Sequence, residues 1–176
     1  MIGTEPALRR AIRDIPDFPK PGIMFKDITP LLRDPVLFRA ATEAMGAPFR
    51  DQGVTHVVAI ESRGFILGGP IAQILNAGFV PLRKLGKLPF DTHAVAYGLE
   101  YGQDKLEIHV DALDRGSRAL IVDDVLATGG TARAACCLSE QLGADVVGFS
   151  FLIALDELRG IERLEARRRV EALIHY

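Results

Sequence analysis

A chain of 176 residues and 19.2 kDa is long enough to bury a core and short enough to read as one domain, 1–176. Apolar residues make up 48% and mean hydropathy is +0.17, while 21 basic against 23 acidic residues leave a net charge of −2, so charge offers no case for nucleic acid. No apolar run approaches the roughly 20 residues of a membrane span, and MIGTEPALRR has no apolar signal core; no membrane association and a cytoplasmic location are expected.

Thr4 reads as an N-cap with Glu5 and Pro6 in the first turn, and Leu8, Ile12 and Ile15 mark one helical face. The next stretch, FPKPGIMFKDITP over 18–30, carries three prolines and a glycine among large apolar residues. Such a segment either wraps over the core or makes part of a pocket, and composition favours wrapping. Asp34 and Pro35 open a second helix as cap and first residue, with Ala40, Ala44 and Leu37 on its inner face. His56 to Ile60 is a β-type run that ends in the polar turn ESRG, and a helix follows from Phe65 to Leu75. Phe79 to Arg83 is the next short strand.

The loop KLGKLPFD over 84–91 is basic, punctuated by Gly and Pro, and reads as a mobile segment. Two weaker strands follow, around His93 to Tyr97 and Lys105 to Val110. The second alternates Leu106, Ile108 and Val110 with charged residues, as a solvent-facing antiparallel strand would. Thr131 to Leu142 is helical, with Gly143 as its C′ residue, and Val146 to Ile153 is another apolar strand. The basic run Arg167 to Arg169 reads as a solvated face, and Val170 to Ile174 as a last strand. Cys136 and Cys137 are neighbours on a helix without zinc-site spacing and read as free thiols. Strands alternating with helices give an α/β fold with a mainly parallel twisted sheet flanked by helices, and the 92–110 region is an antiparallel flap.

The most informative stretch is VDDVLATGGT, 122–131. A strand from Ala119 to Val122 runs into Asp123 and Asp124, then into a turn of Ala127, Thr128, Gly129, Gly130 and Thr131 that opens a helix. Unpaired N–H groups and the helix dipole favour an anion there, two glycines allow close approach, and the threonine hydroxyls add donors. Neither the nucleotide-triphosphate loop nor the dinucleotide fingerprint is present. Carboxylates repel phosphate, so the acidic pair suits hydroxyls or a metal on the same ligand. A sugar phosphate satisfies both halves; an ordinary turn with Asp124 near a helix cap is the plain alternative.

VDDVLATGGT resembles the phosphoribosyl-pyrophosphate signature of the type I phosphoribosyltransferases. Three further segments, FPKPGIMFKDI (18–28), ESRGF (61–65), and RKLGKLP (83–89) with LEYG (99–102), narrow the resemblance to the adenine phosphoribosyltransferases of that family, over roughly residues 15–155. The resemblance implies the family fold with a small hood, and transfer of phosphoribose from phosphoribosyl pyrophosphate to adenine with Mg²⁺, giving AMP and pyrophosphate. It further implies that Asp123 and Asp124 contact the ribose hydroxyls and that the 127–131 turn holds the 5′-phosphate. Ser62, Arg63, Lys84, Lys87 and Tyr101 fall to the pyrophosphate; Phe25 and Leu155 to the two faces of adenine; and the backbones of Met24 and Lys26 to its edge. Glu100 corresponds to an acidic residue beside the purine imidazole, suited to proton transfer. Mg²⁺ is expected mostly on pyrophosphate and sugar oxygens, with no protein ligand assigned, and a homodimer is expected.

Outside that context Phe25 reads as core, Arg63 as a surface ion pair and Glu100 as a solvated hairpin residue. The chain departs from the family pattern in three places: Ala154 where an acidic residue would precede Leu155, Glu61 for a shorter aspartate, and a poor match over 90–98. A sister enzyme for another nucleobase shares the sugar-phosphate half of this reading. A regulator of the same fold that senses phosphoribosyl pyrophosphate would need a basic face or a helix-turn-helix, and the sequence offers neither.

Overall fold

Apolar runs with no polar face can only be buried on both sides, and here they form the middle of one sheet. The computed structural model describes residues 4–99, 102–164 and 168–176. It opens with α1 (Thr4–Arg10), β1 (Arg13–Ile15), β2 (Phe25–Asp27), α2 (Thr29–Arg33) and α3 (Pro35–Gly46). The alternating part follows as β3 (His56–Ile60), α4 (Arg63–Ile74) and β4 (Gly78–Lys84), then the hairpin β5 (Thr92–Leu99) and β6 (Gly102–His109). It closes with β7 (Arg118–Leu126), α5 (Gly130–Gln141), β8 (Asp145–Ala154), α6 (Gly160–Arg163) and β9 (Arg169–His175).

The seven-stranded sheet has the order β5-β6-β4-β3-β7-β8-β9. Strands β4, β3, β7, β8 and β9 are parallel, and β5 and β6 run as an antiparallel pair at one edge. That hairpin is the expected flap. It joins β4 only through Arg83↔Glu107 and Lys84↔Leu106. The two-stranded β1-β2 sheet is the small hood.

One face of the sheet packs Val58, Ile121 and Phe149 against Ala135 and Leu138 of α5. The other packs Val57, Leu120 and Leu152 against Leu8, Met45, Leu67 and Ile71 from α1, α3 and α4. Gly68 of α4 allows the close approach of helix to sheet: a Cβ there would stand 2.6 Å from that of Ala59.

Several expectations change. The first helix ends at Arg10, so of the three expected face residues only Leu8 lies in it; Ile12 is buried in the turn that follows, and Ile15 belongs to strand β1. The 18–30 segment does not simply wrap: Ile28 is core, while Ile23 to Lys26 wall a cleft. Asp34 caps α3 as expected, accepting from the N–H groups of Val36 at 2.9 Å and Leu37 at 3.1 Å. Its buried face is Ala41, Thr42 and Met45, not Ala40 and Ala44, a rotation of about one residue that follows from packing against the sheet. The central strand β7 runs through the acidic pair to Leu126 instead of stopping before it. Arg168 is not a solvated charge: it donates to Val146 O at 3.1 Å and pairs with Glu140. Cys136 is buried and Cys137 exposed, and neither is in a disulfide; Arg168 Nη1 donates to Cys136 Sγ at 3.2 Å.

The largest departure is Glu107. Its strand read as alternating between core and water, yet Glu107 is only 3% exposed. The side chain turns under the 84–91 loop and accepts the N–H groups of Lys87 and Leu88, both at 2.9 Å. The loop that read as mobile is thereby tied to the flap. Burial raises the Glu107 pKa, but the N–H groups of Leu88, Gly86 and Lys87 and the Thr92 hydroxyl outweigh it and leave the carboxyl below its ordinary 4.5.

A depressed carboxyl stabilises the fold above its unfolded pKa, and the contribution is lost as pH falls through the folded value. Glu107→Ala is therefore expected to cost about 2 kcal/mol at pH 7, the order for orphaning buried donors. Glu107→Gln, which keeps one acceptor oxygen, costs less and makes the loss of stability below pH 4.5 shallower. Urea melts of the three proteins between pH 7 and pH 3 check both statements.

Candidate active site

In a parallel sheet the carboxyl ends of neighbouring strands open onto one edge, and loops there can share a ligand. The carboxyl ends of β3, β4, β7 and β8 do so here, around a cleft of about 570 Å³. Polar groups come from Glu61, Ser62 and Arg63 after β3, Lys84 and Lys87 after β4, and Asp123 and Asp124 in β7. Apolar walls come from Met24 and Phe25 in the hood and Leu155 after β8.

Adjacent strand residues ordinarily point to opposite faces, so two neighbouring aspartates in one cleft need an explanation. Near this edge the alternation lapses: Leu152 and Ile153 of neighbouring β8 both pack into the same layer. Asp123 also folds back, its Oδ1 accepting the N–H of Asp124 at 2.9 Å. Gly64 leaves room for this, because a Cβ there would stand 3.0 Å from Asp123 Oδ1 and from Val122 O.

Asp124 is buried, 4% exposed, and is ion-paired with Nε of Arg63. The Arg63 guanidinium also lies over the Phe25 ring, 5.3 Å from its centroid, within cation–π range. Burial first, and then the charge of Asp124, push the Asp123 carboxyl well above the ordinary aspartate range, against the opposing N–H of Asp124 and the charge of Arg63.

Glu61 organises the other wall. It accepts Arg83 Nε at 3.0 Å and Lys84 N at 3.1 Å, and pairs with Lys87. Burial raises its pKa, but the Lys87 ammonium, the Lys84 N–H and Arg83 outweigh this and hold it below the ordinary 4.5.

At the apolar end Phe25 meets Phe18 edge to face at 5.0 Å, and Met24 is half exposed. The Lys26 ammonium turns away to Asp14 Oδ1 at 2.7 Å. Ala154 is buried in the β8 core; the acidic residue here is Asp156, beyond Leu155, bonded to His175 Nδ1 at 2.9 Å.

The structure thus brings together Met24, Phe25, Lys26, Ser62, Arg63, Lys84, Lys87, Asp123, Asp124, Ala127, Thr131 and Leu155. Gly129 and Gly130 instead line an adjoining cavity of about 470 Å³ with Arg133 and Arg163, and Tyr97 borders both. Thr128 lines neither. Glu100 and Tyr101 lie outside the described residues.

Gly129, at φ +81°, opens α5 and turns the chain in a left-handed conformation natural to glycine. The turn is backed by a residue that the sequence reading missed. Gly160, at the start of α6, lies so close that a Cβ on it would collide with the carbonyl oxygen of Ala127. A Cβ on Gly129 would stand 2.8 Å from Gly160 O. The available signal was a lone glycine in the otherwise helix-like DELRGIER, which often marks close packing.

Residues 28–170 match the family model described as phosphoribosyl transferase domain. An adenine phosphoribosyltransferase of Myxococcus xanthus is 58% identical over 169 residues, covering 96% of this chain and 91% of that protein. The crystal structure of adenine phosphoribosyltransferase from Rhodothermus marinus superposes with a TM-score of 0.96 at 54% identity, covering all of both chains. The enzyme from Saccharomyces cerevisiae, complexed with an imino-altritol bisphosphate and adenine, is similar at TM-score 0.92 and 39% identity, over 98% of this chain and 99% of that one.

Gly160→Ala should push the Ala127 carbonyl and tilt the N–H groups behind it. Ribose 5-phosphate binding is expected to weaken about tenfold, or about 1.4 kcal/mol, with the thermal midpoint moving by only a few degrees. Calorimetric titration beside a melting curve checks this; unchanged binding would show that the turn does not lean on Gly160.

Proposed function

The chain belongs to the phosphoribosyl transferase family, among its adenine phosphoribosyltransferases, and on that premise we propose how its residues carry the reaction. It is a purine salvage enzyme, moving the 5-phosphoribosyl group of phosphoribosyl pyrophosphate to adenine and yielding AMP and pyrophosphate. The observation that carries the residue assignment is that one cleft holds an acidic pair, the two ends of a phosphate-type turn (Ala127 and Thr131), several cations and an apolar slot, with the middle of the turn facing the adjoining cavity.

The bond from the anomeric carbon to pyrophosphate breaks, and a bond to an adenine imidazole nitrogen forms. Positive charge grows on the ribose ring between these events, so the site must fix the sugar and stabilise separated charges. Asp123 and Asp124 hold the ribose hydroxyls, and the N–H groups of the 127–131 turn hold the 5′-phosphate. Ser62, Arg63, Lys84, Lys87 and Tyr101 receive the pyrophosphate. Arg63 and Lys87 each have a carboxylate partner, Asp124 and Glu61, and exchange it for the more highly charged diphosphate. Adenine lies between Phe25 and Leu155, its edge read by the backbones of Met24 and Lys26. Glu100 takes the proton that the attacking nitrogen sheds.

Mg²⁺ fits this donor set as a substrate-borne ion. The Asp123 and Asp124 carboxylates offer hard oxygens in the cleft, while no group of three or more His, Cys, Asp or Glu among the described residues is arranged to hold a metal. When bound, it neutralises charge on the departing pyrophosphate.

A homodimer is part of the same reading. Partly exposed Ile66 and Phe79, with Phe65 edge to face against Phe79 at 5.8 Å, offer an apolar surface, and sedimentation would report the assembly. No helix among the described residues is long and apolar enough to cross a membrane. A substrate this highly charged does not cross lipid unaided, which supports a cytoplasmic setting.

Incubation with phosphoribosyl pyrophosphate, Mg²⁺ and single free bases tests the substrate. AMP from adenine is expected; turnover of hypoxanthine or uracil in place of adenine would overturn it. Asp124→Asn should lower kcat about 100-fold or more, the order for losing one preorganised electrostatic contact, with an unchanged circular dichroism spectrum.

A further inference from the structure

The slot assigned to adenine has walls from distant parts of the chain. Phe25 belongs to the hood strand β2, and Leu155 follows β8 in the main sheet. The separation between them must be set by whatever joins the hood to the end of β8.

Tyr176 touches both. Its backbone N–H donates to Ala154 O at 2.9 Å, and its O accepts from Asp156 N at 2.8 Å, so it straddles Leu155. Its ring faces the hood. The Lys26 ammonium lies 3.7 Å from the ring centroid and the Arg9 guanidinium carbon 4.8 Å from it, both inside the range of about 6 Å for a cation–π contact. Lys26 follows Phe25 in β2 and is also held by Asp14 of β1 at 2.7 Å. Arg9 adds a second tie, donating from Nη1 to His175 O at 2.9 Å.

We infer that Tyr176 is a positioning residue for the nucleobase: its ring carries Lys26 and with it Phe25, while its main chain carries Leu155. One residue thereby sets the width of the slot without lining the cleft. A planar base stacked on both faces is sensitive to that width, and a sugar phosphate on the far side of the cleft is not. This inference rests on the adenine reading of the slot.

The test is steady-state kinetics and amide hydrogen exchange on the wild-type protein, Tyr176→Phe and Tyr176→Leu. Tyr176→Leu keeps the backbone bonds and removes the ring. It should raise the KM for adenine about tenfold, leave the KM for phosphoribosyl pyrophosphate within about twofold, and speed exchange at Phe25 to Asp27, by loss of both cation–π contacts. Tyr176→Phe keeps the ring and should restore wild-type behaviour in every readout. An unchanged adenine KM in Tyr176→Leu overturns the inference, as does a parallel rise in both KM values or a Tyr176→Phe protein that behaves like Tyr176→Leu. If the wild-type protein does not use adenine, the substrate reading fails by itself, and the exchange at Phe25 to Asp27 then decides whether Tyr176 holds the hood.

Discussion

Two carboxylates on successive residues of a buried strand are hard to hold on one side of a sheet, and much of the cleft follows from how this is done. Asp123 folds back onto the N–H of Asp124, and the second residue of α4 is Gly64, where a Cβ would crowd that carboxylate. Asp124 is buried against Arg63. Burial and the charge of its neighbour push Asp123 toward its neutral form. Such a pair can accept hydrogen bonds from the hydroxyls of a ligand, and a carboxyl in its neutral form can also donate one.

The cations of the cleft are similarly held in advance. Glu61 gathers Arg83, the Lys84 backbone and Lys87, and Glu107 fixes the loop backbone from below. On the proposed reading, a diphosphate entering this cleft would exchange carboxylate partners for phosphate ones and would need little ordering of long side chains from scratch. Preorganisation of this kind lowers the entropic cost of binding and keeps the electrostatic groups aimed where charge develops. The phosphate turn has the same character, its backbone braced by Gly160 rather than by a side chain.

What could be read from the sequence was whatever has a local signature. The runs at His56 to Ile60, Ala119 to Val122 and Val146 to Ile153 became parallel strands because they are apolar at nearly every position, with no polar face to leave in water. Asp34 before Pro35 marked a helix start through its own side chain. The acidic pair and glycine turn were visible because their chemistry is compressed into ten residues. Tertiary partners were not visible. Glu107 looked solvated because its acceptors are owed to a loop some twenty positions earlier in the chain. Gly160 has no motif, only a carbonyl pressed against it from the 127–131 turn. The inner face of α3 was misplaced by one residue, since alanines at 40, 41 and 44 score alike and only packing separates them. The prolines of the 18–30 segment hid a short strand that walls the cleft.

The central claim is that a phosphorylated ribose docks where β7 gives way to α5, hydroxyls toward Asp123 and Asp124 and phosphate on the amides of the turn. A crystal structure of the protein with ribose 5-phosphate and pyrophosphate tests it most directly. The account predicts phosphate oxygens at about 2.7–3.2 Å from backbone nitrogens of Thr128 to Thr131 and a ring hydroxyl on at least one of the two carboxylates. A sugar phosphate bound elsewhere, with those amides engaged by the protein's own groups, would contradict it.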